Sequence, residues 1–305
     1  MSDTTLSPLE DLRDRPGPLK SALRAARKQP LGTAGAIVML AMVVAAALAP
    51  WIAPYDPELP NYEFMLTAPN SSFLFGTDEF GRDIMTRLLY GAQTALFVGL
   101  SSSFVGATLG LVIGVASAYF GGKVDLILQR ILDVFMAFPL IIIALTVVVA
   151  SRAAFPNAGP EFQVLFVVFA ITIPFIPKCA RVVRSSALAI REIPYIDAAR
   201  ANGYSDFRII MRHMVPNVMA PFLIMITAFV GQAILLEASL SYLGLGVQEP
   251  TAAWGLMLRS AQEHAESAPW TVIYPGIAIT LAVFGFNMFG DAVRDALDPR
   301  LRSAQ

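Results

Sequence analysis

The sequence predicts an all-α integral membrane protein with six transmembrane helices, and three observations predict it. Mean hydropathy is +0.61, and 56% of the 305 residues are hydrophobic against 15% charged. That is more apolar side chain than one soluble core can bury. Six stretches approach or reach the roughly 20 apolar residues that a helix needs to cross a hydrocarbon core of about 30 Å. The loops between them alternate sharply in Lys and Arg content, which sets orientation. The net charge of −1 carries no hint of a partner, and the one cysteine, Cys179, excludes an internal disulfide and disfavours a cysteine-based metal site.

Residues 1–30 read as a cytoplasmic amino-terminal segment in which "LKSALRAARKQP" is either an amphipathic surface helix or a simple positive anchor. Residues 31–305 form the membrane domain. Span one covers about 31–54; Ala47-Leu48-Ala49 resembles a cleavage site, but the leader and apolar run are too long for a signal peptide. The outer loop 55–91 is rich in Pro and Gly and too short to be a substrate-capturing domain, so any receptor is a separate chain. Span two, 92–120, carries Gly106, Gly110 and Gly114, a spacing that lets helix backbones approach closely. Span three covers 131–150, and Asp133 at its start is expected to pair with Arg130 or a neighbouring helix. Span four, 162–178, ends at Pro174 and Pro177, where an exit into an irregular turn or kink is expected. Spans five and six cover 218–237 and 271–290.

Counting Lys and Arg puts 18 with the amino terminus, the loops after spans two and four, and the carboxyl terminus. Only Arg82, Arg87, Arg152 and Arg259 lie opposite. Both termini are therefore expected in the cytoplasm.

The loop 179–217 is polar yet helix-patterned. "RVVRSSALAIRE" sets Arg181, Arg184 and Arg191 on one face and Val183, Ala187 and Ile190 on another. Pro194 restarts a short helix, "YIDAARAN", which ends at Gly203, where a left-handed residue suits a helix end. Ser205 is placed to cap "DFRIIMRHMV", with Phe207, Ile210, Met211 and Met214 as its apolar stripe, and Pro216 precedes the next span. Ala198, Ala199 and Ala201 beside Asp197 and Arg200 suit docking into a groove on a soluble partner. A solvated positive loop fits these residues equally well.

"DAARANGYSDFRIIMRHMVP" resembles the EAA motif of ABC importer permeases. Asp197, Ala198, Ala199, Gly203 and Pro216 match at the motif's spacing; Asp197 for Glu, His213 for Ile and Val215 for Leu depart from it. "FGTDEFGRDIMTRLLYGAQTAL", "LLEASLSYLGLGVQEPTAAWGLML" and "FNMFGDAVRDALDPRL" resemble the DppC/OppC branch of the dipeptide, oligopeptide and nickel importers, over residues 20–302. The resemblance implies a type I ABC importer permease fold at a bacterial or archaeal plasma (inner) membrane. It makes Asp197, Ala198, Ala199, Arg200, Gly203 and Pro216 an ATPase-coupling loop. The implied partners are a homologous DppB/OppB-type permease, two cytoplasmic ATPase subunits, an extracytoplasmic substrate-binding protein and the lipid bilayer, with no nucleic acid. The implied cargo is di- or oligopeptides, with nickel, glutathione or oligosaccharide-like substrates as alternatives.

The chain is not expected to be an enzyme or to bind a cofactor; ATP and magnesium belong to the partner ATPases. A phosphate-binding G-x-x-x-x-G-K-[ST] is missing, the sole Gly-Lys pair being Gly122-Lys123 before Val124. No G-x-S-x-G is present, and His213 and His264 fall on opposite sides of the predicted topology, so neither a serine dyad nor a metal pair is expected. Glu237, Ser239 and Ser241 are the candidate gate or translocation-path residues, with a structural or gating hydrogen bond favoured for Glu237 over substrate contact. Glu63, Asp78, Glu79, Asp83, Glu249, Glu263 and Glu266 read as a solvated acidic outer face. An ATP-independent secondary transporter is the competing class; it requires coupling charges at mid-membrane, which the spans nearly lack, and no convincing internal repeat supports it.

Overall fold

Apolar helices that cannot satisfy their backbones with water must satisfy them internally and pack side to side, and the chain does so throughout. The computed structural model describes residues 29–297. Nearly all of the amino-terminal segment and the closing residues 298–305 thus lie outside the described residues. Helix α1 runs Pro30–Ile52, α2 Ile84–Phe120, α3 Gly122–Met136, α4 Leu140–Ala154, α5 Pro160–Arg191 and α6 Pro194–Ala201. Helix α7, Asp206–Ile209, continues through a π turn, Ile210–Met214, and a 3₁₀ turn, Val215–Val218, into α8, Met219–Tyr242; α9 is Trp254–Ser260 and α10 Trp270–Leu297. Five stretches are long and apolar enough to cross a bilayer, and six if the bent pair α3–α4 counts as one.

Two expectations are corrected here. The stretch predicted as span three over 131–150 is a pair of helices bent by 91°. Phe138 precedes Pro139, which disfavours helical backbone at Phe138, and Pro139 itself caps α4 in an extended conformation (ψ 135°). Pro174 and Pro177, expected to end span four, sit inside an unbroken α5 of 32 residues. Packing along α2 explains the persistence. Added Cβ atoms on Gly106, Gly110 and Gly114 would meet Phe175 Cβ at 2.9 Å, Cys179 Cβ at 2.5 Å and Ala180 O at 2.6 Å. Three bare turns of α2 thus admit the α5 backbone on either side of both prolines, and neighbours hold the helix where the ladder is interrupted.

The main core joins α2, α5 and α8, where Phe175 stacks on Phe229 with centroids 4.3 Å apart. It reaches down to Ile196, Ile209 and Met214 of the polar loop. A second cluster joins α1, the start of α2, α8, α9 and α10 around Ile84, Ile234, Trp254 and Phe286.

Candidate functional site

The polar loop begins further along than predicted, because α5 carries residues 179–191 as its own last turns. Arg184 grips Asp125 of α3 through Nε at 2.7 Å and Nη2 at 2.6 Å, and Arg181 pairs with Asp133. The partner of Asp133 is thus a neighbouring helix and not Arg130. Arg191 Nη1 donates to the Ala118 carbonyl at the end of α2, at 3.0 Å.

Helix α6 is the projecting element. Ile196 and Ala199 turn inward while Asp197, Ala198 and Arg200 face out. Gly203 has φ +77°, a conformation that costs a side-chain-bearing residue about 1–2 kcal/mol. It lets Gly203 N–H reach Arg200 O at 2.9 Å and Tyr204 N–H reach Ala199 O at 3.2 Å, closing the helix end. Ser205 stands at the start of α7 but makes no side-chain cap. The apolar stripe differs from the prediction: Ile209 and Met214 are buried, whereas Phe207 is 74% exposed and Met211 50%. The π turn over Ile210–Met214 accounts for Met211, since an extra residue in the turn rotates side chains off a 3.6-residue register, whereas Phe207 lies on the exposed side of α7 before it.

Tyr119, buried at the last turn of α2, donates its hydroxyl to Asp206 Oδ1 at 2.6 Å, and the Arg200 guanidinium lies 5.2 Å from its ring. Sequence reasoning missed Tyr119; only its polar tip at the end of an apolar span could have flagged it. Among the described residues no group of three or more His, Cys, Asp or Glu is placed to hold a metal ion, at His213 or elsewhere. The His213 ring lies beside Tyr195 and Tyr204, and its carbonyl accepts from Asn217 Nδ2 at 2.6 Å, one residue beyond the exposed Pro216.

The acidic outer face is not simply solvated, which corrects the reading from sequence. Asp78 accepts Arg82 Nε at 2.8 Å, and Arg82 Nη1 reaches Glu249 at 2.6 Å. Buried Arg87 adds Glu249 at 3.4 Å and the Pro57 carbonyl at 2.8 Å. Burial opposes the Arg82 charge, yet Glu249 and Asp78 outweigh it and raise the guanidinium pKa. Asp83 caps α2 through Thr86 N–H at 2.8 Å, and Glu79 lies 3.6 Å from His264. Trp270 Nε1 donates to Thr77 O at 3.2 Å and Trp254 Nε1 to Leu88 O at 3.0 Å. The outer loop is thereby fastened to α2 and α10, and α9 to α2.

The three candidate path residues separate. Glu237 is 1% exposed and accepts from Ser241 Oγ at 2.7 Å, while Ser241 Oγ accepts Val247 N–H at 3.0 Å. Both therefore pin the loop after α8 instead of facing a cavity. Ser239 is partly exposed and bonds its own helix at Leu235 O.

Residues 106–303 match the family described as binding-protein-dependent transport system inner membrane component, and residues 17–69 match the N-terminal TM domain of oligopeptide transport permease C. A putative peptide transport system permease protein of Brucella suis is 44% identical over 88% of this chain and 87% of its own length. The dipeptide transport system permease protein DppC of Alkalihalophilus pseudofirmus is 38% identical over 97% and 94%. The glutathione transport system permease protein GsiD of Escherichia coli is 39% identical over 90% and 88%. Among solved structures, the inward-facing MetNI methionine ABC transporter superposes with TM-score 0.57 at 19% identity, covering 70% of this chain and 98% of that one.

Proposed function

The chain belongs to the binding-protein-dependent transport system inner membrane component family, as the DppC/OppC-type permease subunit of an ABC importer, and we propose that its cargo is di- or oligopeptides. Family membership implies ATPase and binding-protein partners in general. The finer composition we infer is a homologous second permease, two ATPase subunits on the cytoplasmic side and one extracytoplasmic binding protein. Both termini lie in the cytoplasm in this reading, as 18 of the 22 Lys and Arg residues require. Two relatives are named for peptides and dipeptides. The third is named for glutathione, which presents a peptide-like amide backbone as well.

One observation carries the mechanism. Helix α6 projects with Asp197, Ala198 and Arg200 outward, beside exposed Phe207 and Met211, while the segments on either side of it are tied to α2, Asp206 of α7 through Tyr119 and Arg191 of α5 through the Ala118 carbonyl. An apolar surface next to a short polar helix suits a groove on a soluble subunit. ATP binding draws the ATPases together and moves α6; Tyr119 and Arg191 pass that displacement to α2, and the glycine seam of α2 passes it to α5. Alternating access at a path between two permeases follows, and hydrolysis resets it. Ser239 stays a path candidate, whereas Glu237 and Ser241 take the structural role.

The test is isolation of the chain from its native membranes in detergent, with an ATPase assay and peptide uptake after reconstitution. A second permease and ATPases in the eluate, with uptake that needs ATP and is abolished in G203P while insertion is kept, is the expected result. A chain that transports alone without nucleotide would overturn it.

A further inference from the structure

Hydroxyl side chains on the exposed faces of the membrane helices satisfy themselves. Ser239 bonds Leu235 O at 2.7 Å, Thr280 bonds Gly276 O at 2.8 Å and Thr146 bonds Ile142 O at 2.8 Å. Two carboxamides do not. Gln232 of α8 and Asn287 of α10 are both exposed, and neither side chain has a hydrogen-bond partner among the described residues. Gln232 stands 13 residues after Met219 and 10 before Tyr242, about 20 Å and 15 Å along the helix, so it lies near the middle of a hydrocarbon core of about 30 Å. Asn287 lies at the same depth: a Cβ on Gly231, next to Gln232, would fall 2.6 Å from Asn287 Oδ1. The bare turn at Gly231 is what lets this carboxamide lie against α8.

An unpaired amide facing hydrocarbon is costly, so lipid does not cover this notch. A neighbouring membrane helix has its backbone groups consumed by its own hydrogen bonds and can answer only with a polar side chain at the matching depth. An extended peptide is the opposite case, with free N–H and C=O groups in alternation. Each carboxamide offers both a donor and an acceptor and no charge, which matches that backbone whatever side chains it bears.

We propose that Gln232 and Asn287 form a neutral amide notch that hydrogen-bonds the backbone of a peptide in transit; this rests on the peptide-import reading above. The notch supplies specificity for peptide backbone without selecting sequence, and leaves sequence preference to the binding protein.

The experiment uses the complete importer in proteoliposomes, with uptake of radiolabelled trialanine measured against peptide concentration for the wild type, Q232L, N287L and Q232N. Each leucine variant is expected to lower maximal uptake about tenfold, with co-purification of the partner subunits intact and the half-saturating concentration unchanged. Q232N, which keeps the amide, retains most of the uptake. Full uptake by both leucine variants overturns the notch while leaving peptide import standing. Loss of partner subunits from the variants overturns it as well, by making the carboxamides assembly contacts. A wild type inert toward trialanine and longer peptides overturns peptide import itself, and the notch falls with it.

Discussion

The two ends of this molecule handle charge in opposite ways. At the outer end Arg82 and Arg87 are buried, and their carboxylate and carbonyl partners all come from the same chain. At the other end Asp197 and Arg200 pair at 3.1 Å with side chains 73% and 39% exposed, and Phe207, Met211, Tyr195 and Tyr204 are exposed beside them. Buried charges are tolerated when they are paired, and these two guanidiniums are held by carboxylates and a carbonyl, so the outer cluster is a structural clamp. An exposed pair next to uncovered aromatic and thioether side chains contributes little by itself and leaves surface for another chain. The difference separates rigidity from recognition: one end holds its loop still, and the other leaves the surface that the proposed docking requires.

Breaking the clamp has the largest expected effect. Arg87→Ala removes the buried guanidinium that holds the Pro57 carbonyl and shares Glu249 with Arg82, and losing hydrogen bonds to a charged group costs about 1.5–3 kcal/mol. Thermal unfolding in detergent should fall accordingly, with the 55–83 loop newly open to protease; an unchanged melting curve would dissolve the contrast. Removing a link between the loop and the membrane comes next. Tyr119→Phe deletes only the hydroxyl that reaches Asp206, a loss of about 1 kcal/mol in stability. Its signature is a severalfold rise in ATP hydrolysed per peptide transported, measured on the reconstituted complex. If that ratio stays at the wild-type value, Tyr119 packs and does not couple.

Phe207→Ala sharpens the comparison from the other side. Its ring is 74% exposed, so the unfolding free energy should move by less than about 0.5 kcal/mol. Affinity for the ATPase subunits should nevertheless drop about tenfold, as truncation of a buried interface anchor does. Retention of full affinity would place the docking surface elsewhere. Smallest of all, Asp197→Asn removes one exposed ion-pair partner, worth about 0.3–0.5 kcal/mol within a helix. Raising the salt concentration should erase the difference between variant and wild type in a stability measurement, and a salt-independent difference would mean that Asp197 is held by more than Arg200.

The sequence was legible where one residue type has one physical use. Gly203 was readable as a helix stop because a positive φ there is nearly free only for glycine, and Gly106, Gly110 and Gly114 marked a close seam because spacing alone puts them on one face. The helix break before Pro139 was missed, since an apolar run reads the same whether straight or bent. Pro174 and Pro177 misled for the complementary reason: proline interrupts a lone helix, but packing against α2 holds α5 through both. The acidic residues of the outer loop read as surface because their partners, such as Glu249 for Arg82, stand 167 positions apart in the chain.

By itself, then, the sequence determined the membrane environment, the alternation of the loops and the helix–glycine–helix form of the polar loop. Hydropathy, charge asymmetry and backbone preference are properties of short windows. The tertiary structure alone decided which charges are buried, that Glu237 faces Ser241, that Tyr119 reaches Asp206, and that Gln232 and Asn287 share a depth on two antiparallel helices. Those are distances between residues far apart in the chain, fixed only when helices choose their rotation and neighbours, and no local pattern encodes that choice.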